Sequence, residues 1–194
     1  MPRLPLRSNT VTAVDRLRPE VGAEAWTQTL GVVAFAALAA LGGQVEIRIP
    51  LWEVPLTLQT VAVYGAGIFL GGRNGFVSML LFLAAGLALP VYAGGASGLA
   101  QLGGATGGYL LAMPLAALAA GAVSRRWNAP AGALVAGVAG AAVLFSLGVV
   151  WLHYAADHAT WWQSIDRGLL RFVAWDLTKV ALVSAVYAGA RRLS

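Results

Sequence analysis

An acid and a base stand close together in the long apolar stretch from Leu170 to Arg192, near the end of the chain. Asp176 and Lys179 are three residues apart, so a helix places them on one face about one turn apart. Lys179 is the only lysine in the sequence. Ionisable side chains at membrane depth are costly, so they usually face a partner, a cavity or a bound group.

Two interpretations of this pair remain open at this point. In the first, Asp176 and Lys179 form a salt bridge that only locks helices together or neutralises itself. In the second, they flank a polar ring, with Asp176 accepting hydrogen bonds from two N–H groups and Lys179 donating one to a carbonyl oxygen. Such charge-assisted hydrogen bonds are roughly twice as strong as neutral ones.

The composition indicates which kind of protein must position the pair. Of the 194 residues, 59% are apolar and 11% are charged, whereas a soluble domain has about a quarter charged residues. Long apolar runs without alternation favour membrane helices over a barrel. Since there is no cysteine, disulfides, thiolate metal sites and cysteine nucleophiles are excluded, and no metal site is predicted.

The apolar runs predict an all-α membrane protein with six transmembrane helices. These spans are expected at about 27–43, 56–70, 76–89, 107–124, 131–153 and 170–192. Residues 1–25 form a polar tail without the apolar core of a signal peptide, and residues 26–192 form one transmembrane domain. The sequence GGRNG at 71–75 predicts a tight turn between the second and third spans.

The basic residues orient this bundle. Nine of the 13 lysines and arginines lie in the terminal tails and the loops on the same side as the termini, and three lie on the other side. By the positive-inside rule, both termini are cytoplasmic. The net charge of +5 therefore belongs to membrane orientation, and no nucleic-acid partner is predicted. The half of the last span that carries Asp176 then faces outward.

Two irregular segments are expected on that outer side. Residues 44–60 contain Pro50 and Pro55, so they predict an extended loop that places Thr57 and Gln59 at the start of the second span. Residues 90–109 contain seven glycines and no charge. Irregular backbone of this kind is tolerated beside a membrane where it lines a cavity, and glycine lets backbone N–H groups approach a ligand closely.

The first span carries small residues at helical spacing. Ala36 and Ala40 are four residues apart, a spacing that lets another helix come close. Docking of a partner subunit and ordinary packing inside the same bundle explain this pattern about equally well.

An enzyme hypothesis rests on the sequence GASG. Gly95 to Gly98 match the G-x-S-G element of rhomboid-type intramembrane proteases, with Ser97 as nucleophile and His153 or His158 as its base. A serine among glycines is expected by chance in this segment, and the last span lacks the histidine that such proteases place there. We therefore expect a protein that is not an enzyme.

The sequence also lacks the G-x-x-x-x-G-K-[ST] loop that cradles nucleotide phosphates. Transport against a gradient would therefore need a partner or an ion gradient, and no cofactor is predicted for this chain.

Three segments taken together resemble the BioY family, the biotin-capture (S) subunits of energy-coupling factor (ECF) transporters. They are VPLTLQTVAVYGAGIFLG from Val54 to Gly71, GLALPVYAGGASGLAQLGGATGGYLLA from Gly86 to Ala112, and WDLTK from Trp175 to Lys179. The resemblance covers nearly the whole chain after residue 25. It departs from the family pattern at Ala105, a position that the family often fills with proline.

The resemblance implies an ECF S-component-like bundle of six helices with a pocket near the outer face, and it implies a role for individual residues. Asp176 and Lys179 would hold the ureido ring of biotin, and Ala36 and Ala40 would dock the coupling subunit. The remaining family positions that fall on this sequence are Pro55, Thr57, Gln59, Thr60, Tyr92, Gly94, Gly95 and Thr106 to Tyr109.

The ligand chemistry agrees with the residues found above. Biotin presents N–H donors and a carbonyl acceptor on a compact apolar bicycle, for which Val91, Tyr92, Tyr109 and Trp175 could supply apolar walls. Its tail carboxylate could meet N–H groups of the glycine-rich loop or Arg48, and the sequence does not decide between them.

The function implied is high-affinity biotin binding and uptake across the bacterial inner membrane, together with a transmembrane coupling subunit and two ATPases. ATP would be used only by those partners, and membrane lipid would surround the bundle. The alternatives are an S component for a different vitamin, the protease described above, and a structural membrane subunit that binds no small molecule.

Overall fold

The computed structural model describes residues 19–50, 52–127 and 129–193. Most of this part of the chain is helical, and its only sheet is a two-stranded hairpin. In chain order the elements are α1 (Pro19–Gln44), β1 (Glu46–Ile47), β2 (Leu56–Thr57), α2 (Gln59–Leu70), α3 (Gly72–Gly86), α4 (Leu99–Gly103), α5 (Gly107–Arg126), α6 (Pro130–Ala155), α7 (Trp161–Ile165) and α8 (Arg171–Leu193).

Each of the six predicted spans corresponds to one of the six longer helices. Three stretches are long and apolar enough to cross a membrane: Ala25–Gln44, Gly107–Arg126 and Ala131–Ala155. Helix α1 begins at Pro19, so the last part of the predicted tail is helical, whereas the earlier tail residues lie outside the described part of the chain. The number of spans that cross the membrane remains a prediction.

Helices α2, α3 and α5 meet with almost no side chain between them. A side chain added at Gly121 of α5 would overlap the backbone of Gly72, and one added at Gly67 of α2 would overlap the carbonyl oxygen of Ala117. Small residues permit this close approach of helix backbones in membrane proteins. The contacts fix α2, which carries part of the site, against the centre of the bundle.

The prediction of a tight turn over residues 71–75 was wrong. Gly71 alone makes the corner, with φ of 81°, and α3 begins at Gly72. Only glycine adopts this left-handed backbone region readily, so one residue suffices to reverse the chain.

The loop between α1 and α2 is extended, as predicted. Its two ends pair as a short antiparallel hairpin, with Glu46 opposite Thr57 and Ile47 opposite Leu56. The backbone N–H of Leu58 donates to the carbonyl oxygen of Gly42, which ties the start of α2 to the end of α1. This α1–α2 loop is therefore a closed flap rather than a free linker.

The glycine-rich segment is irregular, as predicted, and it is held to its neighbours by hydrogen bonds. Tyr92 is fully buried, and its hydroxyl donates to the carbonyl oxygen of Leu83 on α3. Gln44 donates to the carbonyl oxygen of Tyr92, and the N–H of Gly98 donates to the carbonyl oxygen of Gly86. These contacts order the segment before α4 and α5 begin.

The segment between α6 and α8 contains a short helix and a wider helical turn. Thr160 caps α7 by accepting a hydrogen bond from the N–H of Gln163, and a π-helical turn over Asp166–Leu170 leads into α8. This wider turn sets the rotation at which α8 enters the bundle.

Candidate functional site

Four side chains from α2 and α8 form one buried polar cluster at the centre of the bundle. Thr60 and Tyr64 stand one turn apart on α2, and Asp176 and Lys179 face them from α8. Their exposed fractions are 9%, 0%, 3% and 6% in that order. This cluster, Thr60, Tyr64, Asp176 and Lys179, is called the polar quartet below.

Hydrogen bonds connect all four members of the polar quartet. Thr60 donates to Oδ1 of Asp176 at 2.7 Å, and Tyr64 donates to Oδ2 at 2.5 Å. Lys179 Nζ donates to Thr60 Oγ1 at 2.9 Å and to Asp176 Oδ1 at 3.3 Å. A carboxylate offers about four acceptor positions, so three donors leave room for about one more. The ammonium group has three donors, of which two are used.

Asp176 and Lys179 form a salt bridge, and a cavity lies beside the pair. Its empty space is about 650 Å³, a figure that includes open solvent at its mouth. Thr60, Asp176 and Lys179 line it. The rest of its lining comes from the α1–α2 loop, the glycine-rich segment and helices α2, α4, α5, α6 and α8.

Four of the other predicted site residues also line this cavity. They are Thr57, Gln59, Tyr109 and Trp175. Tyr109 packs edge-on against Phe145, and its hydroxyl donates to the carbonyl oxygen of Gly168, so the ring is fixed. Trp175 is 39% exposed, and its ring centroid is 5.8 Å from Lys179 Nζ.

The predicted residues of the aromatic–glycine loop lie farther from the cavity. Ala93 lines it, whereas Tyr92 packs its ring against Phe82 on α3. Gly94 and Gly95 are exposed and have positive φ, and a side chain at Gly94 would overlap Glu46. In this structure these residues therefore shape the loop, and their contact with a ligand remains a prediction.

Gln59 carries a hydrogen-bond donor without a partner in the described part of the chain. The residue is 3% exposed, and its Nε2 atom is buried and unpaired. An unpaired buried polar atom costs free energy comparable to a lost hydrogen bond. Gln59 lines the cavity, and its Nε2 atom lies beside Gly43 of α1.

An ionic contact joins the α1–α2 loop to the segment that follows α6. Glu53 accepts a hydrogen bond from Arg167 at 2.5 Å and contacts His158 Nε2 at 3.4 Å. Burial alone would raise the pKa of Glu53, but the hydrogen bonds from Arg167, its own backbone and His158 together lower it. The carboxylate therefore stays charged at neutral pH and holds the flap down.

Aromatic contacts also hold the flap against α8. Trp52 of the flap meets Phe172 of α8 edge-on with centroids 5.2 Å apart, and Arg171 lies 5.4 Å from the Trp52 ring centroid. Arg48 pairs with Glu46 on the flap and lies beside Gly94. A hydrogen bond from Arg48 to Glu46 and the charge of Glu46 raise the pKa of the guanidinium.

The geometry does not support the protease hypothesis. His153 and His158 both contact Ser164 Oγ, at 2.9 and 3.0 Å, and the other ring nitrogen of His158 faces Glu53. No hydrogen bond joins either histidine to Ser97 within the described residues. Ser164 is fully buried, so the Glu53–His158–Ser164 series presents no nucleophile to a substrate.

Ala36 lies on the side of α1 that faces its own bundle, and Ala40 lies at the edge of that side. Ala36 is 7% exposed, and Ala40 is half-buried against the core. The ordinary-packing interpretation thus accounts for Ala36, and the docking role of the pair remains a prediction.

Sequence reasoning missed Tyr64 and the Glu53, His158 and Arg167 contacts. Tyr64 lies inside an apolar run, where a tyrosine is typical of core packing, and only its hydroxyl distinguishes it. The Glu53 contacts join residues more than 100 positions apart in sequence. The sequence shows Glu46 and Glu53 in the loop and Arg167 and Arg171 near the last span, but not which of them pair.

Comparison with protein families gives one matching family over nearly the whole chain. The model of the BioY family matches residues 15–194. The "Probable biotin transporter BioY" of Pyrococcus horikoshii is 34% identical over 151 residues, covering 77% of this chain and 87% of the relative. That of Lysinibacillus sphaericus is 35% identical over 165 residues, covering 81% and 82%. The "Biotin transporter BioY" of Thermotoga maritima is 31% identical over 160 residues, covering 82% and 92%.

A solved structure has the same fold. The crystal structure of the S-component for biotin from an ECF-type ABC transporter superposes with a TM-score of 0.80. It is 24% identical in sequence, and the match covers 88% of this chain and 93% of that one. At this identity the likeness concerns the fold.

Proposed function

The chain belongs to the BioY family, and from that premise we propose that it binds biotin and serves as the substrate-capture component of an ECF-type transporter. The observation that carries this proposal is the polar quartet at the edge of a mostly apolar cavity. It offers an acceptor and a donor side by side, which is what the edge of a cyclic urea requires.

The spacing inside the quartet supports this assignment. Asp176 Oδ1 and Lys179 Nζ are 3.3 Å apart, so the carboxylate and the ammonium group are close enough for a ligand N–H and its neighbouring carbonyl oxygen to meet one each. We expected Asp176 to accept hydrogen bonds from two ligand N–H groups. The structure leaves it only about one free acceptor position, so it can accept only about one. The second ureido N–H therefore bonds elsewhere in the cavity.

The cavity walls suit the remainder of the ligand. Apolar side chains above the quartet can pack against the thioether bicycle, namely Leu110, Met113, Leu144, Phe145, Phe172 and Trp175. Each buried methylene group contributes about 0.8 kcal/mol to such packing. The valeryl tail then leads toward the flap, where Arg48, Gln101 and Thr106 line a second cavity.

The family and the apolar helices support a place in a membrane. We propose a multi-pass protein of the bacterial inner membrane with six spans and both termini in the cytoplasm. In this proposal a transmembrane coupling subunit and two ATPases complete the transporter, which agrees with the absence of a nucleotide-binding loop from this sequence.

Calorimetric titration of the purified chain with biotin tests the proposal. We expect one biotin per chain. We also expect 2-iminobiotin, which replaces the carbonyl oxygen by a cationic imine at neutral pH, to bind at least about 10-fold more weakly, because it repels Lys179 instead of accepting its hydrogen bond. Equal affinity for the two ligands would contradict the role of Lys179. Binding of another vitamin in preference to biotin would favour the alternative S component.

The exposed side of α1 is the proposed docking face for the coupling subunit. It presents Leu30, Val33, Leu38 and Leu41, each at least half exposed, beside the small Ala40. We expect Ala40→Leu to leave biotin affinity within about twofold and to lower both cellular uptake and co-purification with the coupling subunit, because the added side chain blocks close helix approach. Ala36 is left unchanged in this test, since a larger residue at a buried position would disturb the chain's own packing.

The matched control is Ala122→Leu, which makes the same change at an exposed position of α5. We expect it to leave assembly and uptake intact. Normal assembly of the Ala40 variant would place the docking face elsewhere.

A further inference from the structure

We propose that Tyr64 is a positioning residue, which holds the Asp176 carboxylate at the angle that keeps one acceptor position open to the ligand. This inference rests on the proposed function. Tyr64 is fully buried, and its hydroxyl donates to Asp176 Oδ2 at 2.5 Å. It is not among the residues that line the cavity, so it acts through Asp176 and not by touching ligand.

The two oxygens of Asp176 have separate partners. Oδ1 meets Thr60 and Lys179, both of which line the cavity, whereas Oδ2 meets Tyr64, one helical turn further along α2 than Thr60. The remaining acceptor position therefore belongs to Oδ2, beside the tyrosine hydroxyl. A carboxylate pinned at both oxygens cannot rotate about its terminal bond.

The tyrosine ring is itself fixed. It packs against α6 where Gly140 provides no side chain, so that even a methyl group there would come within 3.1 Å of the ring. Because the ring is buried on α2 between α5 and α6, its hydroxyl can point only toward α8. Such fixed supporting groups are what hold a binding constellation in its productive geometry.

The positioning role of Tyr64 follows from how the Asp176 carboxylate would rearrange without the tyrosine hydroxyl. If the hydroxyl is removed, Oδ2 is free to turn toward Lys179, and acid and base can pair through both oxygens. That arrangement satisfies the ammonium group and removes the acceptor that a ligand N–H needs. Tyr64 thus keeps the salt bridge incomplete, and the ligand completes it.

The test is Tyr64→Phe, titrated in the purified full chain with biotin and with the two derivatives that carry one methyl group on either ureido nitrogen. We expect biotin to bind about 10- to 100-fold more weakly to the variant, the range for losing a hydrogen bond to a buried charge. The derivative that keeps the N–H facing Asp176 should lose the same factor. The derivative that lacks this N–H should bind the variant and the wild type within about twofold.

This pattern separates positioning from a structural role. A merely structural defect would weaken all three ligands alike, which would overturn the inference. Ser78→Ala serves as the matched control, because Ser78 is also fully buried and bonds a carbonyl oxygen of α1 away from the cavity. We expect this control to bind all three ligands as the wild type does.

The outcomes distinguish this inference from the proposed function. If the wild-type chain binds no biotin, the proposed function fails and the role of Tyr64 in affinity falls with it. If the wild type binds biotin and Tyr64→Phe binds it equally well, only the inference about Tyr64 is overturned.

Discussion

Asp176→Asn is expected to weaken biotin binding by at least about 100-fold. The substitution leaves Lys179 buried without its charged partner, and breaking a buried ion pair by removing one member costs roughly 3–5 kcal/mol. The amide also replaces one acceptor oxygen by an NH₂ donor. In the wild type Thr60 and Tyr64 both donate to the Asp176 carboxylate, so in the variant one of them would face another donor. Titration of the purified variant by calorimetry measures the effect, and Lys179→Ala should give a loss of similar size.

The control for this experiment is Asp157→Asn, the same chemical change at an exposed position. Asp157 has φ of 47°, a backbone conformation that asparagine tolerates well. We expect this variant to bind biotin normally. Wild-type affinity in both Asp176→Asn and Lys179→Ala would exclude the polar quartet as the ligand site.

Gly121→Ala is expected to cause a large loss of stability although it adds only a single methyl group. The added methyl group would overlap the backbone of Gly71 and Gly72, where α3 begins. Backbone cannot rotate away as a side chain can, so the cost should be about 3 kcal/mol, at the upper end of the usual range for overpacking. Thermal unfolding of the purified protein in detergent measures this as a lower Tm.

Gly189→Ala is the matched control in a helix. Nothing lies within 4 Å of the position of its added methyl group. Because alanine favours helix over glycine by up to about 1 kcal/mol, we expect this variant to be as stable as the wild type or slightly more stable. An unchanged Tm for Gly121→Ala would contradict the backbone contact between α3 and α5.

The site residues that could be predicted from sequence are those whose chemical type differs from that of the residues around them. Asp176 and Lys179 are ionisable residues in an apolar stretch, and the structure brings them together in the interior. The six longer helices could also be predicted, because apolar runs and glycine- or proline-rich interruptions mark them along the chain. Both signals are local in sequence.

The rest could not be predicted, because it depends on contacts between distant segments. Tyr64 is ordinary in an apolar helix until α8 places Asp176 beside its hydroxyl. Glu53 holds the flap in place only because the fold brings Arg167 and His158 beside it. The corner at Gly71 looked like a longer turn, since a run of glycines does not show which of them reverses the chain.

The lengths of α2 and α3 have a consequence for the lipid around the protein. With 12 and 15 residues they rise about 18 and 22 Å, whereas the hydrocarbon layer is about 30 Å thick and α1, with 26 residues, exceeds it. If α3 spans the bilayer, as we propose, acyl chains beside its exposed Val77 and Leu80 must compress to match its length. Such mismatch costs a fraction of a kcal/mol per Å, so the α3 side of the bundle would favour a thin bilayer or contact with another protein.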